Sequence, residues 1–227
     1  MSKPLEILFE DNHIIAINKA VSEIVENDKT GDETLEEKIK LFIIKRDNRP
    51  GNVFLGVCHR LDRPVSGVVI FAKTGKSLMR LNEMFKNKEI IKKYWAIVKS
   101  EPPSPTGDLQ HFLSRNNKQN KTYVRLKEGP DTKLASLSYS VISKSDNYFL
   151  LEVELHTGRH HQIRSQLAYI GCPVKGDLKY GFARSNKNGG ISLHARSIRF
   201  IHPVRKEEVY IEAPVPQDDI FTVFNLK

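Results

Sequence analysis

A carboxylate, Asp62, lies between two guanidinium groups, Arg60 and Arg63, in the polar segment His59-Arg60-Leu61-Asp62-Arg63-Pro64-Val65-Ser66-Gly67. Nearby positive charge favours the ionised form of a carboxylate. An ionised, positioned carboxylate acts as a nucleophile or stabilises a cationic sugar centre. Arg60 and Asp62 are two residues apart, so an extended backbone sends both side chains to one side. Arg-x-Asp is also common in plain surface turns. On spacing alone a simple ion pair is the stronger reading.

Two other constellations carry chemistry-bearing residue types. Cys58-His59 and His160-His161 supply the raw material of a thiol or hydroxyl hydrolase. Adjacent strand residues point to opposite faces, so His59 is poorly placed to activate Cys58. No G-x-S-x-G turn is present to expose a serine nucleophile. His156 and His160 have the spacing of a helical metal pair, but Gly158 between them argues against a continuous helix. No metal site is expected.

The segment around Asp62 is bracketed by elements that would hold it. Val53–Val57 and Val68–Ala72 are apolar runs of strand length, read as buried strands with the polar loop between them. Leu5–Phe9 and His13–Asn18 read as short strands joined by an acidic turn. The stretch from Asp32 to Arg46 reads as a helix, with Thr34 and Glu37 as a capping box and Leu35, Ile39, Phe42 and Ile43 on one face. The turn Asp47-Asn48-Arg49-Pro50-Gly51-Asn52 ends it. Lys76–Lys86 is a second helix and Tyr94–Val98 a strand. Pro102, Pro103, Pro105 and Gly107 mark a break, read as the seam between two halves. Strand candidates follow at 109–114, 121–126, 134–144 and 148–156. A short amphipathic helix over His160–Ile170 turns Ile163, Leu167 and Ile170 inward. Ser192–Phe200 and Val209–Glu212 close the chain as strands. Strands cluster without a βαβ rhythm, which points to an α+β fold with a mostly antiparallel sheet.

Composition narrows the partner. The chain has 227 residues, 36 Lys plus Arg and 27 Asp plus Glu, a net charge of +9. Charge alone leaves two readings level: a nucleic-acid binder, and a surface kept basic for solubility. Two cysteines are too few for a disulfide scaffold and suit a reducing compartment. The first residues lack the apolar core of a signal peptide and no apolar run reaches membrane-spanning length. The expected location is therefore the cytoplasm, with no membrane partner. No G-x-G-x-x-G or G-x-x-x-x-G-K is present, so no nucleotide cofactor is expected.

Taken together in order, the longer motifs resemble those of the RluA family of pseudouridine synthases. His59-Arg60-Leu61-Asp62, Ser66-Gly67 and Ala72-Lys73-Thr74 match its H-R-L-D-x-x-x-S-G signature, apolar strand and A-K-T. Lys93-Tyr94-Trp95-Ala96-Ile97-Val98 is similar to its K-x-Y-x-A-x-V strand. Thr157-Gly158-Arg159-His160-His161-Gln162-Ile163-Arg164 matches T-G-R-x-H-Q-I-R. Gly171-Cys172-Pro173-Val174-Lys175-Gly176-Asp177 with Tyr180-Gly181 continues as I-G-x-P-x-x-G-D-x-x-Y-G, and Leu193-His194-Ala195 and His202-Pro203 close the series.

The resemblance implies a pseudouridine synthase-like fold, its central sheet in two halves with flanking helices and a catalytic cleft. It implies a single catalytic domain over residues 1–227 without a separate N-terminal RNA-binding module. The implied reaction breaks the N1–C1′ bond of a uridine in structured RNA, rotates the uracil and rejoins it through C5. Atoms and electrons balance within the nucleotide, so no cofactor and no metal is implied. Asp62 would be the essential residue, by adding to C1′ or by assisting a sugar intermediate. Tyr94 would stack on the uracil or act as base or hydrogen-bond partner. Arg164 would pair with the catalytic carboxylate, and Leu193 would pack near the flipped base. A base in a stacked stem must be extruded to reach Asp62. Arg60 would fill the space it leaves. The implied partner is a stem-loop of ribosomal or transfer RNA, bound by a monomer, with phosphate-contact candidates that include Arg63, Lys86, Lys88, Lys92, Lys118, Lys121, Arg125, Lys175, Lys179 and Arg184. The chain departs from the pattern at Asn18-Lys19-Ala20-Val21-Ser22, where relatives of this type read N-K-P-x-G, which predicts a looser loop. It departs again at Val65 and Gln166, where Thr and His are frequent.

Overall fold

The computed structural model describes residues 4–27, 31–48, 51–217 and 220–224. Arg49 and Pro50 of the expected turn lie outside the described residues. The fold is α+β, with three α-helices and eleven strands among the described residues. The chain divides into two compact units, Met1–Ile90 with Ser197–Pro214, and Ile91–Arg196 with Val215–Lys227. The expected seam at Pro102–Gly107 is therefore corrected: these residues lie inside the second unit, the prolines in the connection between two of its strands and Gly107 within the second of them. Prolines end a strand because they offer no N–H to the ladder, and a strand end need not be a domain boundary.

The first unit opens with β1 (Ile7–Glu10) and β2 (Ile14–Lys19), antiparallel to one another. The turn between them is set by Asp11, whose carboxylate accepts from the backbone N–H groups of His13 and Ile14 at 2.7 and 2.9 Å. Short Asp side chains favour such turns because they satisfy backbone donors locally. The first helix, α1 (Leu35–Arg46), starts where the capping box puts it. Glu37 N–H donates to Thr34 Oγ1 at 3.0 Å and Thr34 N–H donates to Glu37 Oε2 at 2.9 Å. Leu35, Ile39 and Ile43 are buried as expected, whereas Phe42 is half-buried under the guanidinium of Arg46, 5.1 Å from its ring centre.

The expected strand Val53–Val57 is shorter in the structure. Only β3 (Gly56–Val57) pairs, against Ala72 and Phe71 of β4 (Ser66–Ala72). Phe54 is half exposed, so the run buries too little to continue as a core strand. Gly56 lets the strand approach α2 (Gly75–Lys86) closely: a Cβ there would meet the Leu78 side chain at 2.7 Å. β2 and β4 pair from Ile14 opposite Ala72 to Lys19 opposite Gly67. Both faces of this pair are buried, which explains the unbroken apolar runs. One face packs Ile14, Ala16, Val68 and Ile70 against Leu81 of α2.

The second unit is an antiparallel series. β5 (Ile91–Val98) pairs with β9 (Phe149–Leu155), β9 with β8 (Thr132–Lys144), β8 with β6 (Thr106–Asn116), and β6 with β7 (Lys121–Arg125). Against it lies α3 (Gln162–Tyr169), in which Gln162 to Leu167 are all buried. Ile163 and Leu167 face inward as expected, while Ile170 is only half-buried. The last strands are β10 (Leu193–Ile201) and β11 (Glu208–Glu212), which pair from Ser197 opposite Glu212 to Ile201 opposite Glu208. In the first unit, Ile198, Phe200, Val209 and Ile211 complete the core around Leu81.

Candidate active site

Asp62 stands in the loop between β3 and β4, and several independent contacts fix that loop. Leu61 and Val65 are buried and act as its anchors, leaving Asp62 half-buried between them. Val65 N–H closes a turn onto Asp62 O at 3.0 Å. His59 accepts the backbone N–H of Ile70 on its Nε2 at 3.0 Å, and its ring lies 4.9 Å from that of Phe85. Gly67, which starts the return into β4, has φ +111, a conformation that L side chains rarely adopt.

The strongest anchor is one whose role was not legible in sequence. Lys19 is fully buried, and its Nζ donates to the carbonyl of Ala20 at 2.9 Å and to the carbonyl of Arg63 at 3.2 Å. Ser22 N–H donates to the same Arg63 carbonyl at 2.9 Å. The residue after Asp62 is thus held by two donors. Ser22 has φ +72, so the stretch keeps a left-handed turn at the position where the family pattern has glycine. The looser loop expected from the missing Pro and Gly is corrected: Lys19 and Ser22 pin it. Burial pushes the Lys19 ammonium down to about 7, against the opposing pull of Glu23 and Asp62. A lysine depressed on folding binds its proton more weakly in the native than in the unfolded chain. Its contribution therefore grows as pH rises from about 7 towards its ordinary value of 10.5. Relative to Lys19→Met, the wild-type protein should gain thermal stability between pH 7 and pH 10. A difference in melting temperature that stays flat over that interval would remove the buried-ammonium account.

The arginines beside Asp62 both engage carboxylates of the first unit. Arg60 Nη1 pairs with Glu26, and Arg63 Nη1 with Asp32 at 2.7 Å. Arg60 is exposed and Arg63 half-buried.

Tyr94, Arg164 and Leu193 belong to the second unit. Tyr94 lies on β5 opposite Val153 and is buried. Leu193 opens β10 and is buried. Arg164 is buried on α3, and its fork is clamped by Asp177, with Nε to Oδ2 at 2.6 Å and Nη2 to Oδ1 at 2.9 Å. Its guanidinium also lies over the ring of Tyr180, 5.1 Å from the centre. The Tyr180 hydroxyl accepts Thr122 N–H at 2.8 Å and meets His161 Nδ1 at 2.9 Å. Burial pushes that phenol up to about 12, so it stays protonated. The sequence placed Asp177 and Tyr180 in a motif without a role. Here they orient Arg164.

The turn before α3 explains the T-G-R-x-H-Q spacing. Gln162 Oε1 accepts from Thr157 Oγ1 at 2.7 Å and from Arg159 N–H at 3.0 Å, and Gln162 Nε2 donates to Ser136 O at 3.0 Å. His161 caps the helix at φ +50, a strained position for a non-glycine residue. Gln166 donates to Leu109 O at 3.2 Å and to His111 at 3.0 Å, which accounts for an amide at this buried site.

The competing constellations have other partners. Burial pushes the Cys58 thiol up to about 12, far from a thiolate nucleophile at neutral pH. His156 meets Ser138, His160 meets Thr122, and His161 meets Tyr180. Among the described residues no group of three His, Cys, Asp or Glu is arranged to hold a metal ion, and no helix is long and apolar enough to cross a membrane.

A family model described as RNA pseudouridylate synthase matches residues 13–169. An uncharacterized RNA pseudouridine synthase of Bacillus subtilis is 30% identical over 226 residues, covering 98% of this chain and 73% of the relative. Ribosomal large subunit pseudouridine synthase C of Buchnera aphidicola is 33% identical, covering 92% of this chain and 66% of its own. Ribosomal large subunit pseudouridine synthase D of Zymomonas mobilis is 31% identical, covering 95% and 70%. The chain thus spans roughly two thirds to three quarters of the length of these relatives. Among solved structures, human RNA pseudouridylate synthase domain containing 4 has the same fold, with a TM-score of 0.81 at 22% identity over 96% of this chain and 91% of that one. With one motif of the signature in the pinned Asp62 loop and another in the turn that carries Arg164, the chain belongs to the RNA pseudouridylate synthase family, RluA type, whose members are isomerases that act on RNA.

Proposed function

We propose that this protein converts uridine to pseudouridine in ribosomal RNA, with Asp62 as the essential carboxylate. The observation that carries the assignment is the construction of its loop: two donors on the Arg63 carbonyl and two buried neighbours leave Asp62 half-buried on a fixed backbone. A preorganised carboxylate needs no rearrangement at the moment of reaction. The N1–C1′ bond of uridine breaks, the uracil turns, and a C5–C1′ bond forms, while the C5 proton is given up to solvent and N1 takes a proton up. Asp62 serves the electron-poor C1′ in the interval.

Arg60, Tyr94, Arg164 and Leu193 are the substrate-binding residues. Tyr94 offers a flat ring and a hydroxyl to the extruded base, and base extrusion from a stem costs a few kcal/mol. Ribosomal RNA is favoured over transfer RNA because the curated relatives named above include large-subunit synthases of types C and D. The substrate is read as a stem-loop, and the enzyme as a cytoplasmic monomer.

The deciding experiment is a transcriptome-wide pseudouridine map of cells lacking the gene, complemented with wild type or with Asp62→Ala. A ribosomal site that disappears and returns with wild type alone supports the whole reading. A transfer RNA site with that behaviour moves the substrate. A site restored by both proteins removes Asp62 from the chemistry.

A further inference from the structure

Helix α3 opens on an uncommon cap residue. N-caps favour short polar side chains that bond to the first turn. His161 stands there instead at φ +50, in the left-handed region that glycine and asparagine enter with least strain, and its side chain makes no hydrogen bond to the helix end. The buried imidazole is used elsewhere. Its Nδ1 meets the hydroxyl of Tyr180, 19 residues further on, at 2.9 Å, and the two rings pack edge to face with 5.6 Å between centres. A strained backbone that carries a buried, directed side chain points to a use for that side chain.

Asp177 takes Nε and Nη2 of Arg164 and so fixes the guanidinium within its own plane. A planar group gripped along one edge can still tilt about that edge. The Tyr180 ring, against the guanidinium face, opposes the tilt as long as the ring is itself held. Its hydroxyl is held from two sides, by Thr122 N–H of β7 at 2.8 Å and by His161. His161 is braced in turn by the stacked ring of His160, 3.7 Å away between centres. The His160 ring meets Thr122 Oγ1 at 2.7 Å and Asn120 Oδ1 at 3.1 Å. We propose that His161 is a positioning residue for the reaction, holding the Tyr180 hydroxyl and, through that ring, the tilt of the Arg164 guanidinium. This rests on the reading that Arg164 works at the reacting nucleotide. A small displacement of such a group costs rate. Affinity for the whole RNA is spread over many phosphate contacts and changes little. His161 therefore acts on turnover rather than on RNA binding.

The test is steady-state tritium release from total RNA carrying [5-³H]uridine, taken from cells lacking the gene, with kcat and apparent KM separated and the melting temperature recorded for each variant. His161→Gly suits the left-handed backbone and removes the imidazole. It should lower kcat by roughly ten- to a hundredfold and leave KM unchanged. His161→Asn also suits the backbone, and it sets an amide, able to donate or accept, near the place of Nδ1. It should recover most of the lost kcat. Tyr180→Phe keeps the ring and removes the hydroxyl. In that background His161→Asn should do no better than His161→Gly, because residues that act as a unit lose their separate contributions. A histidine that merely fills space predicts equal kcat for the Asn and Gly variants in the Tyr180 protein, and that result overturns the proposal. So does a rise in KM at unchanged kcat, which would place His161 on the RNA-binding surface. Should His161→Gly not fold, Tyr180→Phe alone decides, since the proposal requires its kcat to fall at unchanged KM. If Arg164→Lys turns over as fast as wild type, the underlying reading that the Arg164 fork serves the reaction fails instead, whatever the His161 variants do.

Discussion

Asp62→Asn is expected to form no measurable pseudouridine under conditions where the wild-type protein completes its reaction, while binding RNA with little change. Asparagine keeps the shape of the side chain and removes the charge that must meet C1′. The loop should survive, because Leu61 and Val65 are buried, His59 accepts the Ile70 N–H, and the Arg63 carbonyl keeps its two donors. Loss of a residue that acts on the reacting atom lowers turnover by on the order of 10⁴-fold or more. Tritium release from RNA carrying [5-³H]uridine measures the reaction directly, and a gel shift on the same RNA measures binding. A variant that keeps a tenth of wild-type turnover would remove Asp62 from the mechanism. A variant that loses turnover and RNA binding together would make Asp62 a structural residue of the binding surface.

What could be read in sequence follows from what each element depends on. The α1 capping box was legible because Thr34 and Glu37 act within one turn of helix. The paired strands β2 and β4 were legible because burial on both faces demands continuous apolar runs. The Asp62 loop, the Tyr94 strand and the Arg164 turn were legible as motifs, because T-G-R-x-H-Q encodes contacts between near neighbours such as Gln162 with Thr157 and Arg159. Contacts across long chain separations were not. Lys19 reaches the Arg63 carbonyl from 44 residues away, and a buried lysine looks like any other in sequence. Thr122 meets the Tyr180 hydroxyl over 58 residues, so the setting of Arg164 was invisible until the fold closed. The position of Ser22 shows a subtler limit. A departure from the expected glycine suggested a loose turn, yet the backbone keeps φ +72 and accepts the strain, about 1–2 kcal/mol for a non-glycine residue.

Asp177→Asn is expected to destabilise the protein by about 3–5 kcal/mol, because it leaves the Arg164 guanidinium buried without its anionic partner. The pair is 6% and 1% exposed, so water cannot replace the lost carboxylate. For a chain of this length that corresponds to a fall in melting temperature of roughly 10 °C. Removing both charges behaves differently. In Arg164→Met with Asp177→Leu both charges of this pair are gone, and well-packed apolar replacements of buried pairs are often neutral in stability. The double variant should therefore melt closer to wild type than Asp177→Asn does. Its activity should stay lost, since the Tyr180 ring and Asp177 hold a guanidinium that methionine cannot supply. Melting and turnover then separate: stability returns with charge balance, and catalysis does not. If the double variant is as unstable as Asp177→Asn, packing rather than charge governs this site. If it recovers turnover, Arg164 has no part in the reaction and the pair is purely structural.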